Sequence, residues 1–183
     1  VVTGARLGID VGVTRRLAAS LDLPVRVVSA AIRYLDAAGD EVELTTPGIH
    51  HRNEMVSGLA DPMVLGAFSH TTGGLRLVAR AGVTVPLGRT EENPFPAEAM
   101  ITAHQHVQMG SGTFNPVLAL EASRTWGKWR LGGFVFTQQV LYENGKGYQA
   151  GDRYAAGLVL RRRVGSSWNV RGGAEMQAET AEH

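Results

Sequence analysis

Leu17-Ala18-Ala19-Ser20-Leu21-Asp22-Leu23-Pro24-Val25-Arg26-Val27 is the stretch that decides how the chain folds. Its odd positions are apolar throughout, while Ala18, Ser20, Asp22, Pro24 and Arg26 occupy the even ones. A strand sends successive side chains to opposite faces, so this alternation gives one oily side and one polar side. A helix needs apolar residues three and four apart, and the stretch fails that test. Its 11 residues match the ~9–11 a tilted strand needs to cross hydrocarbon, about twice the ~5–6 of an average soluble strand.

The same pattern extends outward in both directions. Ala5, Leu7, Ile9, Val11 and Val13 alternate with Arg6, Gly8, Asp10 and Gly12. Leu75, Leu77, Ala79, Ala81, Val83, Val85 and Leu87 face away from Arg76, Arg80, Gly82 and Thr84. Phe114, Leu118, Leu120 and Ala122 oppose Asn115, Glu121 and Ser123, and Trp129, Leu131 and Val135 oppose Arg130 and Gly132. Tyr154, Ala156, Leu158 and Leu160 then oppose Arg153, Gly157 and Arg161. Finally, Trp168, Val170, Gly172, Ala174 and Met176 oppose Asn169, Arg171, Gly173, Glu175 and Gln177. The segment from Gly58 to Ser69 is a strand by position, with no clear facing. Eight strands result.

The connections sort by length. Short turns fall at Thr14–Arg16, His70–Gly74, Arg124–Lys128 and Val164–Ser167, with longer links over Ser29–Val56, Gly88–Gly112 and Tyr142–Gly151. Outer-membrane barrels show that sorting, with short periplasmic turns and longer outer loops. All the tryptophans, Trp126, Trp129 and Trp168, lie at or beside short turns, as an interfacial aromatic girdle requires.

Composition narrows the class further. The 183 residues fall within the range of one domain, taken as 1–183, and hold no Cys for a disulfide or thiolate site. A net charge of +1 excludes the large basic excess of a nucleic-acid binder. Charged residues are 19% of the chain, below the ~25% typical of soluble domains. The polar face carries Arg6, Asp10, Asp22, Arg26, Arg76, Arg80, Glu121, Arg130, Arg153, Arg161, Arg171 and Glu175, which makes these twelve the candidate pore-lining residues. Lys occurs only at Lys128 and Lys146, whereas the outer surface of a soluble barrel is rich in Lys and Glu. Arg suits bidentate pairing in a confined, watery interior. The oily face is thinly built from Ala, Val and Leu, as expected where it meets lipid.

These features predict an all-β, antiparallel, up-and-down transmembrane β-barrel. Val1-Val2-Thr3-Gly4 shows no signal sequence and no initiator Met, so the chain reads as processed, trimmed or partial. With turns in the periplasm, the first strand runs inward and the eighth ends outward near His183. Even strand numbers then imply a barrel of about 10–12 strands, of which this chain is a part incomplete at both ends.

The residues also carry a family likeness. Ser57-Gly58-Leu59-Ala60-Asp61, followed by Ala81-Gly82-Val83-Thr84-Val85-Pro86-Leu87-Gly88, resembles the paired signatures of the phenol meta-pathway type of outer-membrane transporters. Gly110-Ser111-Gly112-Thr113-Phe114-Asn115-Pro116 is similar to that family's later strand entry. Ala60 and Leu87 depart from the family's usual Gly and Thr. The resemblance covers roughly Leu17 to Glu179. It implies a barrel of about a dozen strands taking up hydrophobic or aromatic compounds.

Two links concentrate ligand-type side chains. One holds His50, His51, Glu54 and Met55, and the other His104, His106, Gln108 and Met109. His50, His51, His104, His106 and Met109 form a candidate site for loop-bound copper or zinc, since imidazole and thioether suit those ions; the alternative is a plain polar loop. Glu91-Glu92-Asn93-Pro94-Phe95-Pro96 reads as an exposed acidic tip. Of Arg161-Arg162-Arg163, alternation puts two arginines on the pore side and one at the interface. Ser111 with His104 or His106 and with Glu98 or Glu91 has the types of a hydrolase triad. No Gly-x-Ser-x-Gly elbow accompanies it, and no catalysis is expected.

The expectation is passive passage or uptake of small molecules through the bacterial (Gram-negative) outer membrane, porin-like, with outer-membrane lipids and a small-molecule solute as partners and no nucleic acid. The arginine excess predicts a mild preference for anionic or polar-aromatic solutes. The alternatives are a soluble, lipocalin-like binding barrel and a non-conducting structural barrel with metal-binding His loops.

Overall fold

The computed structural model describes residues 1–42, 53–92 and 107–181, and within them the period-two segments are strands. In chain order these are β1 (Val2–Gly12), β2 (Leu17–Ala30), β3 (Glu54–Leu59), β4 (Met63–Thr72), β5 (Leu75–Thr84), β6 (Pro116–Trp126), β7 (Trp129–Gln138), β8 (Arg153–Val164) and β9 (Trp168–Glu179). They form one antiparallel sheet in the order β1-β2-β4-β5-β6-β7-β8-β9, with β3 also paired to β2. There are no helices among the described residues.

The strand read over Gly58–Ser69 is two segments along one edge of β2. Between the pairs Asp22↔Met63 and Val25↔Leu59, β2 supplies Leu23 and Pro24 while the opposite chain supplies Ala60, Asp61 and Pro62. This is a bulge of one extra residue, and it lies opposite a proline that has no N–H for the ladder. The Pro24 carbonyl still accepts the Ala60 N–H at 2.9 Å. The extra residue reverses parity: Val56 and Gly58 share the face of Val28 and Arg26, whereas Met63 and Leu65 share that of Asp22 and Ser20. No single alternation runs through the segment, which is why its facing is unreadable in the sequence.

Short turns and long links gather at opposite ends, with tighter bounds than the sequence indicates. The β4–β5 turn is Gly73-Gly74 alone, with φ of +54° and +80°, as a two-residue hairpin turn of the I′ type demands. The β6–β7 turn is Gly127-Lys128. The long connections run over 31–53, 85–115 and 139–152.

Register assigns every strand's side chains to one of two faces. Leu7, Leu23, Leu21, Val64, Val83, Leu118, Leu120, Val135, Ala156 and Met176 belong to the apolar face, continuous from β1 to β9. Leu7, Leu118 and Leu158 are 59, 57 and 63% exposed, so that face is not a sealed core. The sheet curls toward the other side into a half-barrel, and Val2, Arg6 and Arg26 from one end line the same cavity as Arg153, Gln177 and Glu179 from the other. The most deeply buried side chains, Tyr148, Val117, Asn115, Thr84 and Thr113, cluster near the link end.

Candidate functional site

The concave face brings together all twelve charged residues named from the sequence. Direct cross-strand pairs place them there: Asp10 opposite Ser20, Arg6 opposite Pro24, Arg130 opposite Arg161, Arg161 opposite Arg171 and Arg153 opposite Glu179. Several compensate one another. The Arg80 Nε–H donates to Glu121 Oε1 at 2.7 Å, and its Nη1 reaches Ser20 Oγ at 3.0 Å and Asp10 Oδ1 at 3.5 Å. To do so it crosses β4, where the residue directly opposite is the small Ala67. Asp10 also accepts the Ser20 hydroxyl. Arg6 lies 3.3 Å from Asp22 Oδ1, an ion contact without hydrogen-bond alignment. Arg153 pairs with Glu179 at 3.1 Å.

This face forms two hollows. At the link end, a cavity of about 720 Å³ lies between Arg6, Arg26, Arg153 and Glu179, with Met109, Ser111 and Tyr148 also in its wall. Toward the turn end, one of about 680 Å³ lies among Arg76, Arg130, Arg161 and Arg171. The half-buried Phe134 and Phe136 also belong to the polar face, opposite Gly157 and Ala155. The sequence reading missed them, because the alternation of β7 is broken by Gly132-Gly133 before Phe134.

Asp61, the segment over 84–88 and the segment over 110–115 meet in one polar knot at the link end. Asp61, pushed out by the bulge, accepts the Gly88 N–H on Oδ1 at 2.9 Å, and the Ser111 N–H and hydroxyl on Oδ2, both at 2.7 Å. Asn115, fully buried, donates its side-chain amide to Ser111 Oγ at 2.7 Å and Thr84 Oγ1 at 3.0 Å. The Asn144 amide donates to the Ser111 carbonyl at 3.0 Å, tying in the β7–β8 link. Two backbones approach closely here. A Cβ on Gly88 would lie 2.6 Å from Gly110 Cα, and one on Gly110 would lie 2.4 Å from Asp61 Oδ1, so only glycine fits either place. Asp61 was quoted only as part of a motif. An acidic residue beside a proline in mid-strand was the one available signal of a bulge.

Other residues singled out in the sequence fall as follows. His50, His51, His104 and His106 lie outside the described residues. Met109 is 2% exposed, and its N–H donates to the Arg89 carbonyl at 3.1 Å. Ser111 is a hub of the knot, its hydroxyl committed to Asp61. Glu91, expected at an exposed tip, is instead half-buried and held: its N–H donates to Gln108 Oε1 at 2.7 Å, and its carboxylate meets Arg89 Nε at 2.6 Å. Arg162 is on the apolar face, 5.0 Å from the centroid of the Trp129 ring, with Arg161 and Arg163 on the opposite face. Trp126, Trp129 and Trp168 all belong to the apolar face at the turn end, and Tyr154 to the same face at the link end.

No known family model matches the chain, and no curated protein matches it.

Proposed function

We propose that this sheet is part of the wall of an outer-membrane β-barrel that lets small solutes pass along its polar face, as the resemblance to phenol meta-pathway type transporters implies. The observation that carries the reading is a continuous, exposed apolar face on the convex side of a sheet whose charges gather on the concave side. Soluble monomers rarely expose contiguous apolar patches beyond a few hundred Å²; acyl chains are the natural cover for one running across eight strand positions.

Spacing supports the same reading. Along β8, Tyr154 and the residue facing Trp129, Arg162, are eight residues apart. At ~3.4 Å per residue that is roughly 27 Å along the strand, or about 20 Å of membrane depth at a tilt of 35–45°, close to the ~25 Å apolar band of such barrels. Backbone edges cannot stay open in hydrocarbon. The outer edges of β1 and β9, which pair with no other described strand, are therefore closed by further pairing. Phe134 and Phe136 beside the arginines favour anionic or polar-aromatic solutes.

The test uses the complete protein. Extraction that requires detergent, followed by swelling of liposomes in organic anions faster than in matched cations, is the expected result. Release into buffer without detergent overturns the membrane reading, and liposomes that stay inert overturn the passage reading.

A further inference from the structure

We propose that the turn end of the polar face is a binding site for a phosphate-type oxyanion, built on a row of arginines. Arg130, Arg161 and Arg171 are directly opposite one another on three adjacent strands, β7, β8 and β9. Neighbouring strands are ~4.8 Å apart, and like charges placed directly opposite destabilise a sheet. Arg76 of β5 lines the same hollow.

Neutralisation is missing here, in contrast to Arg6, Arg80 and Arg153 on the same face, each of which meets a carboxylate. Arg130 donates to the neutral Ser123 hydroxyl at 2.8 Å, and Arg161 to the neutral Asn169 side chain at 3.1 Å. Arg76 and Arg171 have no hydrogen-bond or ion-pair partner among the described residues. Among those residues, the one carboxylate lining the hollow is Glu121, and Arg80 already engages it at 2.7 Å. Arg80 itself is matched by Glu121 and Asp10, whereas among the described residues no carboxylate pairs with any arginine of this row.

The chemistry selects the ligand. Guanidinium forks bind carboxylates and phosphates in bidentate fashion, and a multiply charged, tetrahedral oxyanion offers acceptors to several forks at once. Gly132, the neighbour of Arg130 on the same face, lines the same hollow and adds no side chain to it. All four arginines line this one hollow of the concave face. The site requires the polar face alone, and it stands even where nothing passes through.

The test is titration of the purified complete protein with inorganic phosphate at low ionic strength, read by calorimetry and by thermal unfolding. Saturable heat and a raised Tm are expected. Arg161→Gln and Arg171→Gln each weaken binding about tenfold, the value of one charge-assisted hydrogen bond. Arg153→Gln, at the far end of the face, leaves it unchanged. In phosphate-free buffer Arg161→Gln unfolds at a higher temperature than the wild type, because repulsion in the row is relieved; a purely structural arginine gives the opposite sign. Competition by a dissolved short-chain phosphatidylglycerol assigns the phosphate to a lipid headgroup, and its absence to a free solute. Unsaturable heat in the wild type, or equal affinity in the Arg161→Gln/Arg171→Gln double variant, overturns the site.

Discussion

Leu158→Arg separates a lipid-facing sheet from a water-facing one by a margin larger than experimental error. Leu158 belongs to the apolar face, is 63% exposed, and is four residues from Tyr154 and four from Arg162, the neighbour of Trp129. It therefore sits about 14 Å along the strand from either aromatic level, midway through any apolar band they bound. If that face is in water, replacing so exposed a leucine changes stability by no more than about 0.5 kcal/mol. If it is in acyl chains, an arginine at mid-depth costs about 2–4 kcal/mol, which is roughly 30- to 700-fold in the folding equilibrium. The assay is reversible urea unfolding of the complete protein in thin-bilayer vesicles, followed by tryptophan fluorescence and by the gel mobility of the folded form. Leu158→Ala corrects for packing, since the leucine covers Gly133. Gln177→Arg, on the other face of the adjacent strand, corrects for added charge. A vesicle value for Leu158→Arg within about 0.5 kcal/mol of wild type refutes the reasoning.

Further predictions concern the knot and the ion network. Asp61→Asn keeps at most two of the three hydrogen bonds, makes them neutral, and turns an amide N–H toward a backbone donor; a loss of about 2–4 kcal/mol in urea unfolding is expected, and an unchanged midpoint contradicts it. Gly110→Ala places a methyl against Asp61 and Gly88 and costs more than about 3 kcal/mol, while Gly8→Ala, with nothing within 4 Å of the new methyl, stays within about 0.5 kcal/mol. Equal stability of the two glycine variants sinks the close-approach argument. Arg80→Gln strands Glu121 and Asp10 without their cation, so the reversal potential in a salt gradient shifts toward cations; an unmoved potential shows that these carboxylates do not face the permeating ions.

The faces of the sheet were legible because period two is a property of each strand alone. Arg6, Asp10, Arg80 and Glu121 could be put on one side without knowing which strands are neighbours. The bulge was not legible, because it depends on what lies across from Pro24, and that is a pairing fact between residues far apart in sequence. The same reason hid the knot. Asp61, Gly88 and Ser111 are ordinary loop residues singly, and their relation appears only when three connections converge. Phe134 and Phe136 were missed for a local reason, since paired glycines erase the apolar-polar contrast on which the reading depends.

The bracket formed by Asp61 also bears on how the chain avoids mispairing. A slip by one residue between two strands turns every side chain to the wrong face and is rejected by the solvent. A slip by two preserves both faces, and alternation cannot detect it. Hairpins guard against this with their tight turns, as Gly73-Gly74 does for β4 and β5. The β5–β6 pair has no such turn, only the long connection over 85–115. A two-residue displacement there would carry Ser111 and Asn115 nearly 7 Å from Asp61 and Thr84, leaving a carboxylate and several buried donors unmatched. The knot thus proofreads a junction where chain geometry alone cannot.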